Sequence, residues 1–144
     1  MSTKNLTIEA PSSPRTRVGG YVILERAADK GRADLEGNVG EYHFNCPLDN
    51  ILFEFKGIDG DAFKAQLSAG ADKEAVAKWL DGAGTPKSAA EIKEWSDGVE
   101  SCRPYDNPEK KDWFAEQCAE VGIDPARNTL FDWLEADDKA SYAK

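Results

Sequence analysis

Pro47-Leu48-Asp49-Asn50-Ile51-Leu52-Phe53-Glu54-Phe55-Lys56-Gly57-Ile58-Asp59 decides the fold class. Proline suits the first helical position, where no intrahelical N–H is needed. Leu48, Ile51, Leu52 and Phe55 then recur on one face of a 3.6-residue period, and Gly57 supplies a stop. Two residues on, Asp59 is placed to cap a second helix carrying Phe63 and Leu67 and ending near Gly70. A helix, a glycine turn and a fresh cap within a few residues is the grammar of a helical domain.

The same grammar continues downstream. Asp72 is set to cap a helix with Val76, Trp79 and Leu80 that ends at Gly82. Ser88-Ala89-Ala90-Glu91 is a capping box ahead of Ile92, Trp95 and Val99. Asn107-Pro108 is expected to open a helix with Phe114, Cys118 and Val121, closed by Gly122. Asp124-Pro125 is expected to open the last, with Leu130, Trp133 and Leu134. The four tryptophans, Trp79, Trp95, Trp113 and Trp133, all fall on apolar helix faces and read as core.

Upstream, Gly19 and Gly20 open a helical segment in which Tyr21, Leu24, Ala28, Gly31 and Leu35 form one stripe. Gly31 suggests a close approach by another backbone. Arg26, Asp29, Lys30 and Arg32 fall off that stripe, with Arg26–Asp29 and Asp29–Arg32 at i,i+3 and Arg32–Glu36 at i,i+4. Gly37-Asn38-Val39-Gly40 stops the helix. From Glu41 to Asn45 the chain alternates, with Tyr42 and Phe44 on one face and Glu41, His43 and Asn45 on the other. That alternation fits either a short strand with a partner near the N-terminus or an extended loop. The sum is a mainly α domain of about seven short helices, with a short extended segment near 41–45. Residues 1–13 read as a flexible N-terminal segment, 14–138 as the domain and 139–144 as a flexible tail.

Composition bounds the function. The chain has 144 residues, 40% of them apolar and 31% charged. A domain of this size buries about two-thirds of its unfolded surface, enough for a core without disulfides or a structural metal. With 18 basic against 27 acidic residues, the net charge is −9. That balance argues against nucleic acid and anionic membranes as partners. No apolar run is long enough for a membrane helix, and the first residues lack the apolar core of a secretory signal. Three cysteines, Cys46, Cys102 and Cys118, with no CxxC, read as reduced and cytoplasmic. One histidine and scattered thiols give no metal-ligand spacing, so no metal is expected. Neither a GxGxxG nor a P-loop is present, and no cofactor is expected.

Charge is unevenly spread. Residues 1–50 carry 6 basic and 7 acidic side chains, whereas residues 51–144 carry 12 and 20. The basic residues of the first part cluster as Arg15, Arg17, Arg26, Lys30 and Arg32. A short loop then brings Glu41-Tyr42-His43-Phe44-Asn45-Cys46, which holds the only histidine and one of the three thiols. If that segment folds back along the helix, Arg26 and Lys30 hold a small anion. His43 then serves as acid or base, and Asp29 or Glu41 orients it. Tyr42 and Asn45 line the ligand. Cys46, ahead of Pro47 and at a helix N-terminus, is a candidate nucleophile. The competing interpretation of the same residues is a buried polar network that pins helix to loop.

Pro14-Arg15, Gly19-Gly20-Tyr21, Arg26, Asp29-Lys30, Arg32-Ala33, Gly37, Gly40-Glu41-Tyr42-His43-Phe44-Asn45-Cys46-Pro47-Leu48-Asp49 and Trp133-Leu134-Glu135-Ala136-Asp137-Asp138 together carry a resemblance. The chain resembles a bacterial family catalogued only as a domain of unknown function, family number 5069. The resemblance spans nearly the whole chain and is densest over residues 14–49. It implies a stand-alone, mainly helical, cytosolic bacterial protein, and it implies no catalytic residue. Two functions remain open. One is a small-molecule site over residues 15–49, either a cofactor-free acid–base enzyme or a sensor for an anionic metabolite. The other is a non-enzymatic interaction or assembly module, meeting a protein partner or a second copy through its acidic helices.

Overall fold

The computed structural model describes residues 4–142. Seven α-helices follow in order: α1 (Leu24–Glu36), α2 (Pro47–Lys56), α3 (Gly60–Ser68), α4 (Lys73–Gly82), α5 (Ala89–Glu100), α6 (Lys111–Glu120) and α7 (Leu130–Tyr142). Two 3₁₀ turns, Pro104–Asp106 and Pro125–Arg127, lie before α6 and α7. The mainly α expectation holds.

Caps form where the sequence places them. Asp59 accepts from the Ala62 N–H and Asp72 from the Ala75 N–H, both at 2.8 Å. Ser88 and Glu91 make both bonds of the capping box. Pro47 opens α2 behind Cys46, whose backbone is extended, and Gly57 closes it in the left-handed conformation.

Three boundaries differ from expectation. The first helix begins at Leu24 rather than near Gly19, because Val18 and Tyr21 exchange backbone bonds in a tight antiparallel bridge. Its entry residue, Ile23, is fully buried at φ 75°, a strained conformation for a β-branched side chain. Asn107-Pro108 gives only a turn, and α6 starts at Lys111. Asp124-Pro125 gives a 3₁₀ turn. Thr129 and Asp132 then cap α7 reciprocally, the Thr129 N–H donating to Asp132 Oδ2 at 2.8 Å and the Asp132 N–H to Thr129 Oγ1 at 3.2 Å.

The core runs through the middle of the chain. Tyr21, Val22, Leu24, Leu52, Phe53, Phe63, Val76, Leu80 and Phe131 are all fully buried in one apolar cluster. Phe53 and Phe63 meet at 5.0 Å between ring centroids, and Phe44 leans on both from the loop. Gly31 is where α1 and α3 close together: a Cβ there would collide with Leu67 Cδ1 and come within 3.1 Å of Phe44. Leu35, assigned to the buried stripe, is instead exposed, and so is Trp113, which meets Trp133 edge-on at the surface.

Residues 41–45 form an irregular loop and not a strand. The alternation survives: Tyr42 and Phe44 are half-buried, while Glu41, His43 and Asn45 face solvent. The N-terminal stretch lies along α1 and α7. Leu6 is buried, its N–H donates to the Asn38 carbonyl, and its own carbonyl accepts from the Tyr142 hydroxyl. Of the segments expected to be flexible, residues 1–3 and 143–144 lie outside the described residues; 139–142 continue α7.

Candidate functional site

Arg26, Asp29 and Lys30 sit at i, i+3 and i+4 of α1, so they share one edge of the helix. That edge is buried: their residues are 3%, 8% and 3% exposed. Charges survive such burial only when paired and hydrogen-bonded. Each finds its partner far along the chain, and none of the expected i,i+3 pairs within the helix forms.

Arg26 grips Asp138 of α7 through both guanidinium nitrogens, at 2.6 and 3.1 Å. It also donates to the Ser12 carbonyl and lies over the Tyr42 ring. The Tyr42 hydroxyl donates to the same carboxylate at 2.8 Å. Burial, with the Asp138 carboxylate beside it, pushes the Tyr42 phenol well up. For Arg26, burial pulls down, but the bonds and charge of Asp138 outweigh it and hold the guanidinium above its ordinary value. Asp29 accepts from both the N–H and the hydroxyl of Ser12, at 2.8 and 2.6 Å, which fastens the N-terminal stretch to α1.

Lys30 points the other way, toward the start of α2. Its Nζ lies 2.9 Å from Asp49 Oδ1, with both side chains out of contact with solvent. That oxygen is off the hydrogen-bonding direction and no other donor reaches it, so charge alone holds it. Asp49 Oδ2 accepts from the Asn45 N–H at 2.9 Å. This bond secures the loop where Asn45 turns through φ 64°. The Lys30 ammonium also donates to Cys46 Sγ at 3.1 Å. Cys46 is only partly buried, the least enclosed residue of the three.

The other expected site residues are elsewhere. His43 is exposed and makes no hydrogen bond or ion pair among the described residues, and the group that meets Cys46 is Lys30. Glu41 lines a polar cleft of about 550 Å³ with Leu6, Gly40, Tyr42, Asp137 and Tyr142. Burial, then the charge of Asp138, raises the Asp137 carboxyl. Among the described residues, no lysine or arginine lines that cleft. Among the described residues, no three histidines, cysteines or carboxylates come together as metal ligands.

A second concavity, of about 610 Å³, opens on the opposite half of the chain between α2, α5 and the start of α7. Phe55 and Trp95 stack in it at 4.4 Å with their planes 10° apart. Ile51, Val99 and Leu130 add apolar wall, and Glu91 and Glu94 stand at its edge.

Sequence reasoning missed Asp138, which it placed at the edge of a fraying tail, and Ser12, which it placed in a loose segment. The available signal for Asp138 was its position, one helical turn past Leu134 on α7.

The fold and these charge clusters define a small all-helical domain in which Arg26 and Lys30 of α1 face inward onto the chain's own carboxylates. The chain belongs to the family described as Domain of unknown function (DUF5069), whose model matches residues 8–140. No curated protein matches it. No helix among the described residues is long and apolar enough to cross a membrane.

Proposed function

We propose that this protein is an interaction module that seats a basic, apolar helical segment of a partner protein in the groove between α2, α5 and α7. The carrying observation is the groove itself: a stacked Phe55–Trp95 floor with Glu91 and Glu94 at its edge, within a half of the chain that is net acidic. Aromatic anchors in a concavity are what binding hot spots use, and the two carboxylates favour a basic partner, with the Lys87 ammonium, 4.8 Å from the Phe55 ring centroid, the one cation beside them among the described residues. An amphipathic helix with Leu and Lys faces matches both features. Three unpaired thiols and the family's kinship support a bacterial cytoplasm as the setting.

The small-anion reading has less behind it. Arg26 and Lys30, which would hold the anion, already have Asp138 and Asp49. Among the described residues, the cleft beside them offers only carboxylates as charged groups.

The test uses a labelled amphipathic Leu/Lys peptide and a Leu/Glu peptide of the same pattern, followed by fluorescence anisotropy. Saturable binding of the basic peptide alone is expected, weakened by added salt and by Glu94→Lys or Val99→Asp. Equal binding of both peptides, or none, refutes the docking proposal. A thermal-shift panel of anionic metabolites separates the alternative. A stabilising anion whose effect vanishes in His43→Ala replaces docking with the small-molecule function.

A further inference from the structure

The Lys30–Cys46–Asp49 cluster plays no part in the groove and has a geometry of its own. An amine nitrogen lies 3.1 Å from a thiol sulfur, within the separation of a near-attack pair. The nitrogen is immobilised: Lys30 is buried, and its ammonium is held between Sγ and Asp49 Oδ1. Cys46 is only partly buried, which leaves the residue open to an oxidant as small as a peroxide. A carboxylate oxygen 2.9 Å from the nitrogen, with no hydrogen-bond donor of its own, is near enough to take a proton from it after a small rotation of the carboxylate. Cys102, by contrast, is exposed, and Cys118 is sealed in the core; neither has a lysine in hydrogen-bonding contact.

We propose that Cys46 and Lys30 form a reversible sulfur–nitrogen cross-link when the protein meets a peroxide. In the first step the Cys46 thiol reduces the O–O bond of hydrogen peroxide. Sulfur gains one oxygen as a sulfenic acid, and one water leaves. Sulfenic acids condense with nearby nucleophiles, nitrogen included. In the second step Lys30 passes one proton to Asp49 Oδ1, and the freed lone pair of Nζ attacks Sγ. The S–O bond breaks, and the departing hydroxide takes a second proton from nitrogen and leaves as water. The product is a Cys46 Sγ–Nζ bond to Lys30, with one hydrogen left on Nζ and Asp49 protonated. Sulfur has lost two electrons and the peroxide has taken them. A thiol reductant returns both side chains. The cross-link removes the cation paired with Asp49, so it converts the charged anchor of the 41–46 loop into a neutral covalent one.

The experiment uses the full chain carrying Cys102→Ser, which removes the exposed thiol. It is treated with a small excess of hydrogen peroxide and followed by intact mass and peptide mapping. The expected product is lighter than the reduced chain by two hydrogens, resists trypsin at Lys30, joins the Lys30 and Cys46 peptides, and reverts with dithiothreitol. Cys46→Ser and Lys30→Arg should each abolish it; the arginine keeps a cation beside Asp49, and its thiol should proceed to sulfinic acid. The same chain treated in denaturant supplies a control independent of any variant's folding: with the pair separated, no cross-link should form. The proposal is overturned if folded chain gains oxygen at Cys46 while Lys30 stays free. It is equally overturned if the linked product retains an oxygen between nitrogen and sulfur, or if denatured chain cross-links as readily as folded.

Discussion

Replacing Asp138 with alanine tests the architecture at its most consequential ion pair. Arg26 and Asp138 have side chains only 4% and 10% exposed, and they meet through two bonds, at 2.6 and 3.1 Å. Asp138→Ala leaves the guanidinium buried with one long bond to the Ser12 carbonyl and strips Tyr42 of its acceptor. Arg26 Nε has no partner even in the intact protein, so nothing nearby is spare. Removing one member of a buried pair costs about 3–5 kcal/mol. At about 2–4 °C per kcal/mol for a chain near this size, the melting temperature should fall by about 6–20 °C. Urea melts of wild type, Asp138→Ala, Arg26→Met and the double variant give the coupling directly. The double variant should lose less than the two single losses combined, because it leaves no unpaired charge. A loss below about 1 kcal/mol for Asp138→Ala would mean an exposed pair, as in surface bridges generally. It would refute the burial of α7's last turns and favour the fraying tail expected from composition.

Three further outcomes follow from the same coordinates. Gly31→Ala should destabilise by about 1–3 kcal/mol despite alanine's better helix propensity, since its Cβ meets Leu67 and Phe44; a stabilised variant in urea melts would show that α1 and α3 are farther apart. Burial resists ionisation of Asp132, but the Thr129 N–H, the Thr129 hydroxyl and Arg15 outweigh it and hold its carboxyl below the ordinary value. Its stabilisation is therefore complete above the unfolded carboxyl value and lost as pH falls through the lower folded one, so melts across acid pH should show wild type converging on Asp132→Asn, and parallel curves would refute the assignment. Lys56 is fully buried with a single bond to the Thr85 carbonyl, and burial lowers its ammonium, which the charge of Asp81 only partly offsets. Between its folded and unfolded values the unfolded chain binds more protons, so wild-type stability should rise with pH relative to Lys56→Met; a flat difference across alkaline pH would show the ammonium is solvated.

What was legible in the sequence was local. Asp59, Asp72 and Ser88 cap their helices because the group each satisfies lies three residues away. The sidedness of Tyr42 and Phe44 was legible for the same reason, since alternation is a property of neighbours. The inward edge of α1 was not. Arg26, Asp29 and Lys30 look like a solvated face until Asp138, Ser12 and Asp49 are in place, and those partners lie 112, 17 and 19 positions away. Leu35 fits the apolar period yet is exposed, because the next element to cover it never arrives. Asp124-Pro125 has correct starting chemistry, but the chain spends it on a single 3₁₀ turn and caps again at Thr129. Within the candidate site, neither the Lys30–Cys46 contact nor the solitude of His43 could be read from spacing, since both depend on how the loop turns at Asn45.

The bond between the Tyr142 hydroxyl and the Leu6 carbonyl joins positions 136 residues apart, and Ser13–Glu135, Arg15–Asp132 and Arg26–Asp138 run in parallel with it. These contacts close the longest loops in the molecule, so they carry the largest entropic cost of assembly. On that ground the contacts among α1 to α4 are expected to form before the two ends join, and the ends to part first. Exchange of amide hydrogens would then register the N-terminal stretch and α7 as one cooperative unit, opening together below the global unfolding free energy. Anything that pulls on one end, whether a fused domain or a protease, acts on the other.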